Sequence, residues 1–376
     1  MFIIILTLVI TLMHGYLFWR LASLPWFSIA PRRKRLWIVA LLIWLFFFVG
    51  GVLGHDSRGQ ISSAIENLAM LWLGVLFIAS TVMLAVDLLT GFGLWAKRYL
   101  AVLRGAGLLL AGLMIAFALV QGMRPPVVVQ HDVMLSGLPP ELDGTTLAVL
   151  SDLHLGSQFG PDWLAERIKQ VRVLQPDIIV LLGDNFEGHG APDVSLLPVL
   201  SEFNAPLGVY AVAGNHEHFG NTGAIISLLE RAGFEWLQDR CLQVRPGLVL
   251  AGIDDLSMRW RNDEREDFIT PMLTGCPEGV TVLLSHSPLQ VELAAAAGTD
   301  LMLSGHTHGG QIWPFGYIVE QFYPYLVGRY NIDGMNLIIS RGAGLWGPRM
   351  RLWHRAEILL ITLRSRTVNS GEKKSK

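Results

Sequence analysis

Apolar residues are concentrated in the first third of the chain, in four long runs that show no polar face. Each run approaches the ~20 residues that an α-helix needs to cross the hydrocarbon core of a bilayer. The runs are Phe2–Trp19, Leu36–Leu53, Leu68–Val86 and about Leu100–Val120. The first lacks the basic start and small-residue cleavage site of a signal peptide. We therefore predict four retained transmembrane helices, with residues 1–123 as the transmembrane region.

Beyond residue 123 the pattern changes to short apolar runs that alternate with helical segments. Strands are predicted at Leu147–Leu150, Ile178–Leu182, Val209–Val212, Leu248–Ile253, Val280–Leu284, Leu301–Leu303, Asn336–Ile339 and Ile358–Leu363. Helices are predicted at Pro161–Leu174, Ser195–Phe203 and Ala224–Ala232. This alternation favours an α/β fold with sheets covered by helices. We assign residues 124–366 to this domain and expect the polar residues 367–376 to be a disordered tail.

Composition changes this picture in three respects. Hydrophobic residues make up 52% of the chain and the mean hydropathy is +0.44, which is too apolar for an ordinary soluble domain. A formal net charge of −2 gives no overall basic field, so no nucleic-acid partner is expected. Cys241 and Cys276 form no CxxC motif. They could pair in an oxidising compartment, but we expect two unpaired small apolar residues.

The loops between the apolar runs predict an orientation in the membrane. The first loop carries Arg32, Arg33, Lys34 and Arg35, the second (His55–Asn67) only Arg58, and the third Lys97 and Arg98. Because lysine and arginine are enriched on the cytoplasmic side, loops one and three are expected there. With four spans, the C-terminal domain is then expected outside the cytoplasm. In a bacterium, this predicts a protein of the inner membrane whose catalytic domain lies in the periplasm or at the cell exterior. One span more or fewer would reverse the orientation.

In five places an apolar strand ends and a short loop begins that contains Asp, Asn or His. The loops are Ser151–His154, Gly183–Asn185, Gly214–Glu217, Ser285–His286 and Gly305–His308. Ligands of α/β sheets bind at the carboxyl ends of the strands, so these loops can converge. Oxygen and nitrogen ligands without thiolate suit Mn, Fe or Zn better than Cu(I) or an iron–sulfur cluster. The set is too large for one tetrahedral ion, and a shared carboxylate would divide it between two.

The motifs DLH, GDN, GNHE, SH and GHTHGG, in that order, resemble the calcineurin-like metallophosphoesterases, and most closely their bacterial membrane-anchored branch. That branch also shows the segments GLPPELDGTTLAVLSDLHLG and RGAGLWGPRMRLWHRAEILLITL. The resemblance covers about Val127–Leu363. It implies an α/β sandwich of two mixed sheets flanked by helices.

The resemblance also implies a role for each polar residue in these loops. It implies two divalent ions (Mn, Fe or Zn), the first bound by Asp152, His154 and His308, the second by Asn215, His286 and His306, with Asp184 bridging. His216 is implied to be a catalytic residue, not a ligand, that protonates the leaving oxygen or steadies developing charge. Attack by a hydroxide that bridges the ions is the implied reaction.

Several other residues have two open interpretations. Glu187 lies where relatives often have Asp, and it either orients a ligand or is simply solvated. Arg341 and Arg349 match the pattern RGxG…PxR and either bind phosphate or form structural ion pairs. Three tryptophans could form an apolar rim that faces lipid, but we expect them in the core: Trp313, Trp346 and Trp353.

Together these features predict a membrane-anchored bimetallic phosphoesterase. Its substrate would be a phosphomonoester, phosphodiester or pyrophosphate, and tethering at the bilayer favours a lipid-linked phosphate, with membrane lipids as partners. One alternative is a cytoplasm-facing pyrophosphatase of a nucleotide-linked lipid-A precursor, of the UDP-diacylglucosamine hydrolase type, which needs the opposite topology. Another is an inactive membrane sensor or scaffold, against which the intact ligand set argues. The oligomeric state is left open.

Overall fold

A computed structural model describes most of the chain, and its contacts divide the protein into two units. The described residues are 2–54, 60–187 and 192–366, of which 2, 3, 49–54 and 60 are described by their backbone alone. The helical unit comprises Met1–Arg124, Gln311–Phe315 and Trp346–Arg355, and the sheet unit comprises Pro125–Gly310, Gly316–Leu345 and Ala356–Lys376. The predicted tail, residues 367–376, lies outside the described residues. The domain boundaries inferred from sequence stay predictions.

The helical unit contains four long helices. They are α1 (Phe2–Ala22), α2 (Ala30–Gly54), α3 (Gln60–Leu89) and α4 (Leu100–Met123). Within the described residues, only three segments are long and apolar enough to span a membrane: Ile4–Ala22, Ile61–Leu89 and Leu100–Met123. The prediction of four is therefore corrected to three. Four basic residues, Arg32–Arg35, occupy the start of α2, and the run Leu36–Leu53 extends past the described side chains.

The helices pack through small and apolar side chains, and they enclose one charged cluster. Leu17 of α1, Met83 of α3 and Ala111 of α4 are all buried in a shared cluster. The Asp87 carboxylate is fully buried and lies 2.5 Å from Arg20 Nε and 3.1 Å from Arg104 Nη2. The Tyr16 hydroxyl donates to the same carboxylate at 2.5 Å. One carboxylate thus links α1, α3 and α4.

The helical unit also includes two loops, Gln311–Phe315 and Trp346–Arg355. The expectation of buried core tryptophans is wrong here, because Trp313, Trp346 and Trp353 are 44%, 47% and 50% exposed.

The sheet unit is a sandwich of two six-stranded mixed sheets, which confirms the predicted α/β class. The first sheet has the order β1-β12-β2-β3-β4-β5 and the second the order β10-β11-β9-β8-β7-β6. The first sheet uses β1 (Val127–Leu135), β2 (Thr146–Leu150), β3 (Ile178–Leu182), β4 (Val209–Val212), β5 (Glu235–Trp236) and β12 (Glu357–Ser365). The second uses β6 (Arg240–Arg245), β7 (Gly247–Gly252), β8 (Gly279–Leu284), β9 (Leu301–Ser304), β10 (Gly328–Ile332) and β11 (Met335–Ile339).

Side-chain alternation along each strand builds the layers. In β3, Val180 and Leu182 point into the core between the sheets, whereas Ile179 and Leu181 point to the outer face. This follows from the two-residue period of a strand. The outer face of the first sheet is covered by α5 (Pro161–Leu174), α6 (Leu197–Leu200) and α7 (Thr222–Arg231), and that of the second by α8 (Leu256–Arg261), α9 (Ile269–Thr274) and α10 (Val291–Ala296). A last short helix is α11 (Gly316–Val319).

The two cysteines of the chain form a disulfide within the sheet unit. Cys241 on β6 is joined to Cys276, which follows α9, with their Cα atoms 5.3 Å apart. The expectation of unpaired cysteines is wrong, because the packing of α9 against β6 brings together residues separated by 35 positions.

Candidate metal centre

Five loops with polar residues follow β2, β3, β4, β8 and β9, each at the carboxyl end of its strand. Because β2, β3 and β4 are parallel neighbours in one sheet, and β8 and β9 are in the other, the loops emerge at the same edge of the sandwich. Six of the seven predicted ligand residues are buried, and His306 is half-buried. The fold therefore brings these polar residues together at one edge of the sandwich, next to its apolar core.

The backbone at this edge is held in a conformation that side chains rarely adopt. Five of the seven predicted ligands have positive φ: Asp152 (56°), His154 (47°), Asp184 (49°), His306 (68°) and His308 (50°). Left-handed residues other than glycine are uncommon and cost of order 1 kcal/mol or more, and they cluster at functional sites. Hydrogen bonds between loops maintain them, since the Asp152 amide donates to Gly183 O at 3.0 Å.

Glycine is required where the loops approach most closely. A Cβ at Gly305 would lie 1.8 Å from Ser151 Oγ, and a Cβ at Gly214 would lie 2.3 Å from Asp184 Oδ1. No side chain can occupy that space. The glycines of GHTHGG and GNHE therefore allow one loop to lie directly against the carboxylate of another.

The ligating atoms fall into overlapping groups whose members lie within 4.8 Å of one another. The groups are Asp152–His154–His308, His154–Asp184–His216 and Asp184–His286–His306. His308 Nε2 lies 3.3 Å from Asp152 Oδ1, and His286 Nε2 lies 3.2 Å from Asp184 Oδ2. Asp184 is in two of the three groups, so its carboxylate lies between the two halves of the centre.

Buried ligand atoms without hydrogen-bond partners indicate that these residues fit metal ions. In the described part of the chain, such atoms include Asn215 Oδ1, His286 Nε2 and His306 Nδ1. His286 Nε2 is near the Asp184 carboxylate, but this contact lacks hydrogen-bond geometry. A buried polar atom left unpaired costs about 1–3 kcal/mol. A divalent ion coordinated by these atoms would remove that cost.

Each of two histidines is oriented through its other ring nitrogen. His286 Nδ1 donates to Leu182 O at 2.8 Å, and His306 Nε2 is 2.7 Å from the Tyr323 hydroxyl. Metal-binding histidines are normally fixed in this way, because the second hydrogen bond sets the tautomer and the ring direction. The arrangement leaves Nε2 of His286 and Nδ1 of His306 directed into the centre.

The charges at the centre are strongly coupled. Burial by itself would raise the pKa of Asp184, but the imidazoles of His286, His216 and His154 hold it well below its usual range. Burial would lower the pKa of His154, but the carboxylates of Glu187, Asp184 and Asp152 raise it to about 9. The surrounding imidazoles thus keep Asp184 ionised, as a carboxylate ligand of a cation must be.

Glu217 ties two of the loops together, a role that sequence reasoning missed. Its fully buried carboxylate accepts hydrogen bonds from the backbone amides of Gly214 (2.7 Å), Asn185 (2.8 Å), Asp184 (2.9 Å) and Phe186 (3.1 Å). Burial and the charge of Asp184 raise the pKa of Glu217 to about 7. The only indication of this role in the sequence was that Glu217 is the last residue of the GNHE motif. Tyr323 was also missed, and it lies in no recognised motif.

The structure also places the residues with open interpretations. His216 is buried, and its Nδ1 is 3.0 Å from Glu187 O. Glu187 Oε2 lies 3.2 Å from His154 Nδ1, which favours the orienting role for this carboxylate over simple solvation. The Arg341 guanidinium contacts the Glu357 carboxylate, and its amide donates to the same group at 2.9 Å, so a structural ion pair is present. Arg349 belongs to the helical unit.

Comparison with known proteins identifies the family. The profile of the family described as Calcineurin-like phosphoesterase matches residues 145–310. An uncharacterized metallophosphoesterase from Aquifex aeolicus is 33% identical over 233 residues, which cover 59% of this chain and 87% of that protein. The chain belongs to the calcineurin-like phosphoesterase family. The resemblance seen in the five motifs is therefore confirmed.

Two further relatives of this metallophosphoesterase extend the comparison. A protein named "Transmembrane protein with metallophosphoesterase domain" from Danio rerio is 32% identical over 269 residues, or 68% of this chain and 62% of the relative. An uncharacterized metallophosphoesterase from Campylobacter jejuni is 29% identical over 65% of each chain. The match thus spans somewhat less than two thirds of these relatives. Together with the three apolar helices, the first of them indicates a membrane protein.

Proposed function

We propose that this metallophosphoesterase is a membrane-anchored enzyme that hydrolyses a phosphate ester, with two divalent ions held by the seven converging side chains. One observation carries the proposal: the ligand atoms of His286 and His306 lie beside the carboxylate of Asp184, and these two atoms and Asn215 Oδ1 are buried without hydrogen-bond partners. Asp152, His154 and His308 would hold the other ion. Mn, Fe and Zn all accept such oxygen and nitrogen ligands.

When bound, the ions would supply Lewis acidity, lowering the pKa of water and stabilising charge on the phosphoryl oxygens. The chain's own residues supply orientation and proton transfer. Because His216 Nδ1 is hydrogen-bonded to Glu187 O, this nitrogen carries a proton and Nε2 is left for the substrate. We propose that His216 donates a proton to the leaving oxygen, or steadies its charge, from this position.

A lipid-linked phosphate is the substrate class that we favour. Three candidate membrane-spanning helices on the same chain as the metal centre support this choice, because a lipid substrate would share a membrane with the enzyme. Purified full-length protein with Mn would be assayed against phospholipids, lipid-linked pyrophosphates and soluble nucleotides. We expect the highest kcat/KM with a lipid substrate. A strong preference for soluble nucleotides would contradict the lipid part of the proposal, and no hydrolysis of any ester would favour a sensor or scaffold.

We further propose that the sheet unit lies outside the cytoplasm. Lys97 and Arg98 lie directly before α4 and favour a cytoplasmic start for that candidate span, which supports this orientation. The Cys241–Cys276 disulfide supports it as well, because disulfides persist mainly in oxidising compartments. Reporter fusions after Arg366 would test it. A reporter active only in the cytoplasm would instead favour the pyrophosphatase of a nucleotide-linked lipid-A precursor.

A further inference from the structure

Two loops of the helical unit pack deep against the membrane helices. We call Gln311–Phe315 and Trp346–Arg355 together the platform. Its residues Ile312, Met350 and Leu352 are buried in one apolar cluster with Ile78 of α3 and Ala118 of α4. The backbone of the platform lies directly against α4 at Gly122. A Cβ at this position would lie 2.7 Å from Arg349 O, so glycine permits the close approach. The platform is therefore part of the packed helix bundle.

The contacts lie within the apolar length of the helices, not beyond their ends. The Arg351 amide donates to Ala118 O at 3.0 Å. Ala118 precedes Met123, the last residue of α4, by five positions, or about 8 Å along the helix axis. On α3, a Cβ at Gly74 would touch Met350, and Gly74 is near the middle of the candidate span Ile61–Leu89. Irregular backbone thus lies at the same depth as the apolar part of two candidate membrane-spanning helices.

Irregular backbone at that depth is tolerated only when its polar groups are paired within the protein. The platform provides such partners. Gln311 Nε2 donates to Trp346 O (2.8 Å) and Pro348 O (3.2 Å), and Gln311 Oε1 accepts from the Trp346 amide (3.1 Å). The Leu352 amide donates to Gln311 O at 3.0 Å. Gln121 of α4 donates from Nε2 to Trp353 O at 2.8 Å.

The outer surface of the platform is aromatic and continuous with an exposed apolar surface of α4. Trp313, Trp346, Trp353 and Phe315 are 37–50% exposed. The Trp353 ring lies 5.9 Å from that of Phe117, which is itself 43% exposed on α4. Tryptophan is enriched where hydrocarbon meets the headgroups, because its ring is apolar and its N–H needs a polar partner.

We propose that the platform is embedded in the bilayer, with phospholipid as its occupant. The continuity with α4 and the internal pairing of backbone groups favour lipid over a protein partner. The platform is joined to the predicted metal ligand His308 by two residues, Gly309 and Gly310. Embedding therefore restrains the chain within three residues of a metal ligand. This inference rests on the membrane-anchored part of the proposed function.

The test measures lipid contact at single labelled positions. The variants Trp313→Cys and Trp353→Cys would each carry an environment-sensitive fluorophore, attached without reductant, in full-length protein reconstituted into phospholipid vesicles. Leu113→Cys, on the exposed face of α4 (61% exposed), is the lipid-facing control, and Val173→Cys, on α5 of the sheet unit (82% exposed), is the aqueous control. Trp346→Cys is a third platform position in case one of the others does not fold.

We expect brominated phospholipids to quench the platform probes to an extent comparable with position 113, with blue-shifted emission, whereas position 173 is quenched only by aqueous iodide. Platform probes that behave like position 173 would overturn the inference. Probes quenched by neither agent would also overturn it, because protein would then cover the platform. Loss of lipid quenching at position 113 itself would refute the membrane anchor as well, which distinguishes the two failures.

Discussion

The two units of this protein use buried charge in opposite ways. In the helical unit a single cluster, Arg20–Asp87–Arg104, is paired internally and links three helices. In the sheet unit several carboxylates and imidazoles meet at one edge with ligand atoms left unpaired. In the first arrangement one carboxylate is paired with two guanidinium groups, whereas the second fits a further cation. Substitutions should therefore affect stability in the first unit and chemistry in the second.

The largest effect is expected for Asp184→Asn. Removing the shared charge should abolish most metal-dependent hydrolysis, because loss of several kcal/mol of charge stabilisation corresponds to about a thousandfold in rate. The measurement is kcat/KM with a chromogenic phosphodiester under added Mn. Asp162→Asn, the same change at an exposed position of α5, is the matched control and should retain activity. If the Asp184→Asn enzyme hydrolysed the ester at a near-normal rate, the buried charges of the sheet unit would not serve the chemistry, and the comparison between the units would fail.

Asp87→Asn tests the opposite unit. Removing one member of a buried ion pair leaves uncompensated charge and should lower the free energy of unfolding by about 3 kcal/mol. Thermal unfolding of the protein in detergent measures this, with Tyr16→Phe, which removes only one hydrogen bond to the same carboxylate, as the milder control. The folded fraction should still hydrolyse the chromogenic ester. Lost turnover at unchanged stability would show that the charges of the helical unit take part in the reaction.

Removal of the disulfide tests the stability of the sheet unit at a position away from the metal centre. Replacing Cys241 and Cys276 together by serine should lower the free energy of unfolding by about 3 kcal/mol, since the cross-link restricts the unfolded chain. Unfolding would be followed with and without reductant. Reductant should destabilise the wild type and leave the double variant unchanged. Reactive thiols in unreduced wild-type protein would contradict the pairing.

Tyr323→Phe should have the smallest effect and the most specific one. Without its hydroxyl, His306 loses the partner of Nε2, and metal affinity should fall about tenfold. Competition with a chelator measures the affinity, and unfolding of the metal-free protein should change little. Tyr325→Phe, which removes a hydrogen bond to Glu292 instead, is the control. Equal metal affinity in both variants would mean that Tyr323 does not orient the ligand.

Sequence was most informative where the signal is local. The runs that became β2, β3, β4, β8 and β9 are short and apolar apart from Thr281, and the polar residues of the candidate centre follow them directly. Their convergence could be expected because parallel strands end at a common edge. The strands β1, β5, β6 and β10 were missed. β5 has only two residues, and the other three have half-exposed, mixed patterns that resemble loops.

Features that depend on distant contacts could not be predicted. Tyr323 lies 17 positions after His306, and no pattern connects them. The Cys241–Cys276 pair depends on how α9 meets β6. The exposed tryptophans of the platform were assigned to the core because in water burial is the usual fate of tryptophan. That rule does not hold for residues packed along membrane helices, where lipid is the solvent.

Metal content tests the central claim most directly. Full-length protein, reconstituted with Mn, dialysed and analysed by inductively coupled plasma mass spectrometry, should retain about two ions per chain, as expected for a paired-metal centre. His286→Ala should retain fewer ions than the wild type, whereas His131→Ala, outside the centre, should retain the same number. Wild-type protein that hydrolyses phosphate esters while holding no metal would contradict the account.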